Sequence, residues 1–307
     1  MENVKQRTAV VVKHTGSHYL LSELPAWAPF TAVVRGKLRM QDSRTTNPVA
    51  VGDRVVVEGE VIREVLPRTN CVVRKSTNLS RQSHVIAANV DVAVLVVTIA
   101  YPETKWPFID RFLVTCEAYK VPVCIVLNKI DLYGETHRPL VDYFREVYEG
   151  AGYPVMETSA ETGAGVEELR ALCRDRVALF SGVSGVGKSS LIRALDPNLD
   201  LRVGEISSAH LQGKHTTTFY EMHPIASGGF LIDTPGIRGF GLVDVDKEEI
   251  STYFPEMLRV MDDCRFKPCT HTHDPGCAVK AAVDEGLIAG ERYDAYLGML
   301  EDEEKYR

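Results

Sequence analysis

The chain of 307 residues has no apolar run long enough to cross a membrane. Its longest, Val92 to Ala100, falls far short of the ~20 residues that a spanning helix needs. The N-terminal MENVKQRTAV has neither the apolar core nor the small-residue cleavage site of a secretory signal, so the cytoplasm is the expected compartment, with no membrane partner. Seven cysteines, an odd count, do not suit a disulfide framework. In a reducing compartment the scattered Cys71, Cys116, Cys124 and Cys173 are expected as inert buried thiols, while Cys264, Cys269 and Cys277 crowd together as metal ligands would. Tryptophan is scarce, and Trp27 and Trp106 both stand beside prolines, which suits core packing better than base stacking. Internal repeats and low-complexity segments are absent. What remains is an ordinary globular composition, 45% hydrophobic and 25% charged, at a length that calls for two or three compact units.

The net charge of −7 is unevenly spread. Residues 1–80 hold twelve Lys/Arg against seven Asp/Glu, a net of +5, while the rest holds 23 against 35, a net of −12. A basic N-terminal unit on an acidic body points to a polyanionic partner for that unit alone. Within it, TAVVVKH, HYLL, FTAVVRGKLRM and DRVVVEGEVIREVL are short β-branched runs broken by turn residues, the pattern of a small barrel of the OB type. Pro67 to Ser83 is polar and reads as an irregular linker.

From residue 90 the pattern changes. DVAVLVVTI, VPVCIVLNKID, YPVMETSA, RVALFSG and GFLIDTPG are unbroken apolar runs, as in strands buried on both faces. Helical spacing intervenes, as at Ile109, Phe112, Leu113 and Cys116. Alternating β and α predicts a doubly wound parallel sheet with ligands at the carboxyl ends of its strands. After about residue 243 the strands give way to short helices around the Cys/His cluster.

Every chemical motif of the central region falls at a strand end. GVSGVGKSS, comprising Gly182, Val183, Ser184, Gly185, Val186, Gly187, Lys188, Ser189 and Ser190, follows a strand and opens a helix, as a phosphate-binding loop requires. Its backbone N–H groups would face phosphate, Lys188 would reach the β- and γ-phosphates, and Ser189 would ligate Mg²⁺. Asp233 in DTPG is placed to hold the Mg²⁺ shell, and the Gly236 N–H to meet the γ-phosphate. In GKHTTT, Thr217 is the choice to complete the Mg²⁺ shell, in a switch loop ordered by the γ-phosphate. NKID supplies Asn128, Lys129, Ile130 and Asp131, whose carboxylate accepts from guanine N1–H and the 2-amino group, a pair that adenine does not offer. That disfavours an ATP-using kinase. Ser159 and Ala160 of TSA offer N–H groups to guanine O6. The base readers precede the phosphate loop by more than fifty residues, the reverse of the usual order in a GTP-binding domain. Five elements on strand ends imply a circular permutation, with Gly165 to Arg176 as the helix that joins the old termini.

The cluster reads C-x4-C-x-H-x5-C, with Cys264, Cys269, His271 and Cys277 as a closed tetrahedral zinc site of structural type. By spacing alone, His273 rivals His271.

This permuted order, between a barrel and a Cys/His cluster, resembles the ribosome small-subunit-dependent GTPase A family (RsgA, also called YjeQ) over essentially the whole chain. The resemblance implies an OB-fold at 1–68, a linker at 69–85, a permuted GTPase domain at 86–243 and a helical zinc-binding domain at 244–307. It implies one structural Zn²⁺ with His271 as the fourth ligand, Mg²⁺ with GTP, GTP and GDP as ligands, and the 30S subunit with its 16S rRNA as partner of a monomer. GTP hydrolysis would be stimulated by the 30S subunit late in its maturation. Arg35, Lys37, Arg39, Arg44, Arg54, Arg63 and Arg68 are candidates for contacting rRNA phosphates. Ile237 stands where Ras-like enzymes have the water-orienting Gln, so His215, matched by a histidine of the family, is the candidate to orient water, with Arg238 a weaker source of positive charge. The same isoleucine keeps open an alternative, an rRNA-binding module that responds to GTP with little hydrolysis.

Overall fold

Alternation in the first strands builds a barrel. In β4 (Arg54–Glu58) Val55 and Val57 point inward, and in β5 (Val61–Val65) Ile62 does, each fully buried. They meet Ala9 and Val11 of β1 (Gln6–His14), Leu21 of β2 (Tyr19–Ser22) and Ala32 of β3 (Phe30–Arg39) in one apolar core. The pairing runs β1-β2-β3-β5-β4 and β4 returns to β1, so the five strands close without a free edge. The computed structural model that shows this describes residues 6–15, 18–39, 49–75, 83–199, 220–233 and 245–305.

Two expectations change here. Arg68 does not face outward as an rRNA contact would: its guanidinium grips the fully buried Asp53 at 2.7 and 2.8 Å, and Asp53 also accepts the Ala50 N–H. A buried carboxylate without a cation would be costly, so this arginine is committed to the barrel. Arg63 pairs with Glu58 at 2.7 Å, whereas Arg35 and Arg54 are exposed. Arg44 and the side chains of Lys37 and Arg39 lie outside the description. The supposed irregular linker is in large part a ribbon, β6 (Cys71–Lys75) paired antiparallel with β7 (Ser83–Ala88). Val72, Val73, Val85 and Ile86 are buried, and that apolar content makes strands of a polar-looking stretch.

The central sheet runs β10 (Val155–Glu157), β9 (Val123–Leu127), β8 (Val92–Val97), β11 (Val177–Ser181), β13 (Phe230–Asp233) and β12 (Glu221–Pro224). All are parallel to their neighbours except β12. Successive residues of β8 and β9 serve opposite cores. Leu95, Val97, Ile125 and Leu127 pack on α1 (Trp106–Ala118) and α2 (Arg138–Ala151), while Val94, Val96 and Val126 pack on α3 (Val166–Cys173) and α4 (Lys188–Leu195). Helices on both faces make the sheet doubly wound. Strand β12 also pairs with β1 at Glu221 and Lys13, whose side chains form a 2.5 Å ion pair, so barrel and sheet are continuous. Trp106 packs among Tyr143, Phe144 and Tyr148, whereas Trp27 keeps an exposed edge and lies 5.8 Å from the Phe230 ring. Among the described residues no helix is long and apolar enough to cross a membrane.

The C-terminal unit holds α5 (Pro255–Leu258), α6 (Ala278–Asp284) and α7 (Gly290–Lys305). Its core of Ile250, Phe254, Met257, Val279, Tyr296 and Met299 takes in Val114 from α1. Deeper in this contact lies Arg292, 1% exposed, whose guanidinium bonds Glu256 at 2.6 and 3.2 Å and Asp110 of α1 at 2.8 Å. Tyr148 donates to the same Asp110 oxygen at 3.0 Å. A cleft of about 280 Å³ opens at this contact between α2 and the C-terminal unit, away from the strand ends. Burial, opposed by Arg292, pushes the Asp110 carboxyl up to about 6.

Removing the cation from this cluster leaves two buried carboxylates. Arg292→Met is expected to cost about 3–5 kcal/mol in chemical denaturation, and adding Asp110→Asn and Glu256→Gln to recover most of it. A carboxyl with a raised folded-state pKa stabilises below its unfolded value and loses that contribution as the pH rises through about 6. Asp110→Asn is therefore expected to show less gain in denaturation midpoint than wild type between pH 7 and pH 5.

Candidate nucleotide pocket and metal centre

Parallel pairing brings the carboxyl ends of β8, β9, β10, β11 and β13 to one edge of the sheet. From β8 the chain steps to β9 and β10 on one side, then returns to β11 on the other, so β8 and β11 flank a topological switch point. The phosphate-type loop leaves β11, NKID leaves β9 and TSA leaves β10 at that crevice. The register of Asp233 opposite Phe180 sets the start of DTPG beside the root of the same loop.

Direct hydrogen bonds join these segments. Asn128, 1% exposed, donates from Nδ2 to the Val186 carbonyl at 2.8 Å and accepts the Thr158 hydroxyl on Oδ1 at 3.2 Å. Lys129, in the left-handed region at φ 66°, donates from Nζ to the carbonyls of Gly185 at 2.7 Å and Tyr101 at 2.5 Å. The exposed Asp131 accepts the Ser159 hydroxyl at 2.5 Å, and the Ile130 N–H reaches the Thr158 carbonyl. Gly187 shows why glycine stands where these segments meet. At φ 89° its backbone suits no other residue well, and a Cβ there would lie 2.4 Å from Asn128 Nδ2. Lys188, Ser189 and Ser190 form the first turn of α4, Val183 is half-buried beside it, and Ser184 is exposed at the loop's rim. The N-terminus of α4 and the loop's N–H groups suit an anion. Ala160 follows Ser159 at the end of β10, and the Gly182 backbone packs against the Val96 carbonyl.

Residues 128–131, 158–160 and 182–190 are thus assembled at one crevice. His215, Thr217, Gly236, Ile237 and Arg238 lie outside the described residues, as does the Asp233 side chain. The loop after β8 was not singled out from the sequence, although it too leaves a strand at this edge. Tyr101 takes the Lys129 ammonium on its carbonyl, and the Tyr133 hydroxyl accepts the Ile99 N–H at 2.9 Å while donating to the Asn128 carbonyl at 3.0 Å. The position of TIAYPET at the end of a buried strand was the available signal.

In the C-terminal unit, donor atoms of Cys264, Cys269, His271 and Cys277 all lie within 4.8 Å of one another. Cys264 Sγ is 4.0 Å from Cys277 Sγ, and His271 Nδ1 is 3.6 and 3.4 Å from these two sulfurs. A tetrahedral ion with metal–sulfur bonds of roughly 2.3 Å sets its sulfurs roughly 3.8 Å apart, so the residues fit a four-coordinate metal. The choice between histidines falls to His271, which is buried in the cluster, while His273 is exposed outside it. Burial lowers the His271 pKa, which favours the neutral ring that a metal needs. Backbone N–H groups of Ala278 and Lys280 approach Cys264 and Cys277 sulfur at 3.4 and 3.5 Å, and Tyr293 and Tyr296 of α7 hold the carbonyls of His271 and Thr270. Such outer contacts orient the ligands.

Comparison with known proteins shows the family. Residues 65–243 match the family model described as RsgA GTPase. A protein of Bacteroides fragilis named small ribosomal subunit biogenesis GTPase RsgA is 49% identical over 305 residues, covering 97% of this chain and 98% of that protein. One of the same name from Porphyromonas gingivalis is 48% identical over 310 residues, with 97% and 98% covered. Among solved structures, that of YjeQ from Thermotoga maritima superposes with a TM-score of 0.80 at 35% identity, covering 97% of this chain and 98% of that one. YloQ, titled a circularly permuted GTPase, gives 0.74 at 27% identity, covering 100% and 98%.

Two measurements check these sites. Gly187→Ala is expected to abolish binding of a fluorescent GDP and to lower the thermal midpoint, since the added methyl at φ 89° displaces the buried Asn128 amide from the Val186 carbonyl. Elemental analysis is expected to find one metal per chain, and a strong chelator to remove it with new protease cleavage confined to residues 264–277.

Proposed function

The chain belongs to the RsgA GTPase family, and on that premise we propose that it hydrolyses GTP to GDP and phosphate in the biogenesis of the small ribosomal subunit. The observation that carries this reading is the bonding of NKID to the phosphate-type loop, Asn128 to Val186 and Lys129 to Gly185. It supports a guanine reader and a phosphate binder sharing one crevice, because residues 128–129 and 185–186 meet there although the permutation separates them in the chain.

In this reading Asp131 accepts from guanine N1–H and the 2-amino group, the Lys129 stem covers the base, and N–H groups at Ser159 and Ala160 face O6. N–H groups from Val183 to Ser190 cradle the phosphates, and Lys188 neutralises charge that develops on the β,γ-bridge. Ser189, Asp233 and Thr217 would hold Mg²⁺, which would supply neutralisation of phosphate charge when bound. The Gly236 N–H meets the γ-phosphate, and His215 orients the attacking water in place of the Gln absent at Ile237. The Cys264, Cys269, His271 and Cys277 site is assigned to Zn²⁺ on its three sulfurs and one imidazole, and it is structural because all four positions are filled by protein.

The partner in this reading is the 30S subunit through its 16S rRNA, met in the cytoplasm by a monomer. Arg35 and Arg54 are exposed on the barrel for phosphate contact. GTP state would control binding and release, since the strand that follows the GKHTTT loop, β12, is the one paired to the barrel. Ile237 favours one second reading, an rRNA-binding module that uses GTP as a ligand with little turnover.

Phosphate release with and without 30S subunits separates the two. Lys188→Ala is expected to lose nucleotide binding, and His215→Ala to bind normally but turn over about 10²-fold more slowly. Absence of stimulated release from wild type would leave the binding-module reading. Equal 30S affinity with GDP and a non-hydrolysable GTP analogue would reject control by GTP state.

A further inference from the structure

Of the segments that leave strands at the crevice, the one after β8 has no part in the nucleotide scheme above. It is nonetheless tightly built. The Thr98 hydroxyl donates to the Pro102 carbonyl at 2.5 Å, the Thr98 N–H to Thr104 Oγ1 at 3.0 Å, and the Thr104 N–H to the Thr98 carbonyl at 2.8 Å. This braced loop touches both halves of the pocket. Pro102 ring carbons stand 3.3 and 3.4 Å from where a Cβ on Gly185 would sit, and the Tyr101 carbonyl takes the Lys129 ammonium. Tyr101 itself is held at φ 60°, a region non-glycine residues seldom occupy. The third contact is made by a side chain. Tyr133 is two residues past NKID, and its hydroxyl accepts from the Ile99 N–H and donates to the Asn128 carbonyl. Both capacities of one hydroxyl are thereby used between the loop and the first residue of the guanine reader.

We propose that Tyr133 is a positioning residue for guanine nucleotides, tying Ile99 to Asn128 so that the turn from Asn128 to Asp131 keeps its geometry. The inference rests on the nucleotide reading above. Lys129 lies in the left-handed region directly after Asn128, and such a conformation persists only where surrounding contacts over-determine it. The Asn128 side chain is fixed by Val186 and Thr158, and its main-chain carbonyl by Tyr133. Without that last bond the peptide after Asn128 is free to tilt, and Asp131, three residues on, moves with it. Tyr133 touches no base edge and acts through the backbone of the reader, so its loss weakens a guanine nucleotide, held by Asp131 at two donors, more than an inosine nucleotide held at N1–H alone.

Tyr133→Phe removes one oxygen and keeps the ring. Titrations of the full chain with fluorescent GDP and with the inosine analogue, which lacks the 2-amino group, are expected to show GDP weakened about 5- to 20-fold and the inosine nucleotide less, so that their ratio narrows. The KM for GTP should rise by a similar factor with kcat unaltered, and the nucleotide-free thermal midpoint should stay within about 2 °C. Binding within twofold of wild type would overturn the proposal. So would an equal loss for both nucleotides, which would put the effect outside the turn that carries Asp131, or a fall in midpoint matching the loss of affinity. Amide hydrogen exchange provides a readout in wild type alone: the Ile99 N–H should be protected without nucleotide, and exchange at the rate of an open loop would refute its bond to Tyr133. A wild type that binds no GDP would overturn the nucleotide reading and this inference together, whereas normal GDP binding by both proteins overturns only the inference.

Discussion

One buried amide holds the two parts of the pocket together. Asn128 Nδ2 bonds the Val186 carbonyl across a gap of 58 residues, and the space it needs is left by a glycine at 187. An unpaired buried amide is costly, so the phosphate-type loop and the purine reader cannot part without exposing or orphaning these groups. The Lys129 bond to Gly185 and the Thr158 bond to Asn128 add to the same junction. Permutation leaves this junction intact because it changes which strand comes first in the chain and not which strands are neighbours in the sheet.

The outlying units are tied to this sheet in different ways. The barrel meets it edge to edge through the β1–β12 pairing and the Lys13–Glu221 ion pair, on the strand that emerges from the GKHTTT segment, and its Val12 and Val51 are buried in the same apolar core as Met222 and Ile232 of the sheet. The metal-binding unit is seated on α1 through Val114 and through the buried Arg292, Asp110 and Glu256 cluster. A partly exposed ion pair contributes little, whereas breaking a buried cluster is expensive. The buried cluster therefore fixes the metal-binding unit to α1, and the shared apolar core fixes the barrel to the sheet.

Residue type alone revealed the chemistry that is local. A glycine-rich turn before Lys188, the carboxylate of Asp131 after a lysine, and thiols at Cys264, Cys269 and Cys277 each announce a function within a few residues. The strands of the central sheet were equally plain, since burial on both faces demands unbroken apolar runs such as VAVLVV. Harder to read were residues whose role depends on what lies opposite. Arg68 looks like any basic surface residue until Asp53 is found buried beneath it, and the ribbon of β6 and β7 looks like linker until each half supplies the other's hydrogen bonds. Tyr133 and Arg292 carry no motif at all.

The sequence by itself determined the order of motifs, the permutation, the fold class and the three thiols of the metal centre, because these depend on residue identity and short-range spacing. Only the tertiary structure decided that His271 rather than His273 joins the thiols, that the Tyr101 carbonyl and Tyr133 hydroxyl bond Lys129 and Asn128, and that Arg292 locks α1 to the metal-binding unit. For Tyr101 and Arg292 the physical reason is the same. A hydrogen bond or an ion pair is defined by two groups, and when its partners are 28 or 182 residues apart, no stretch of chain contains both.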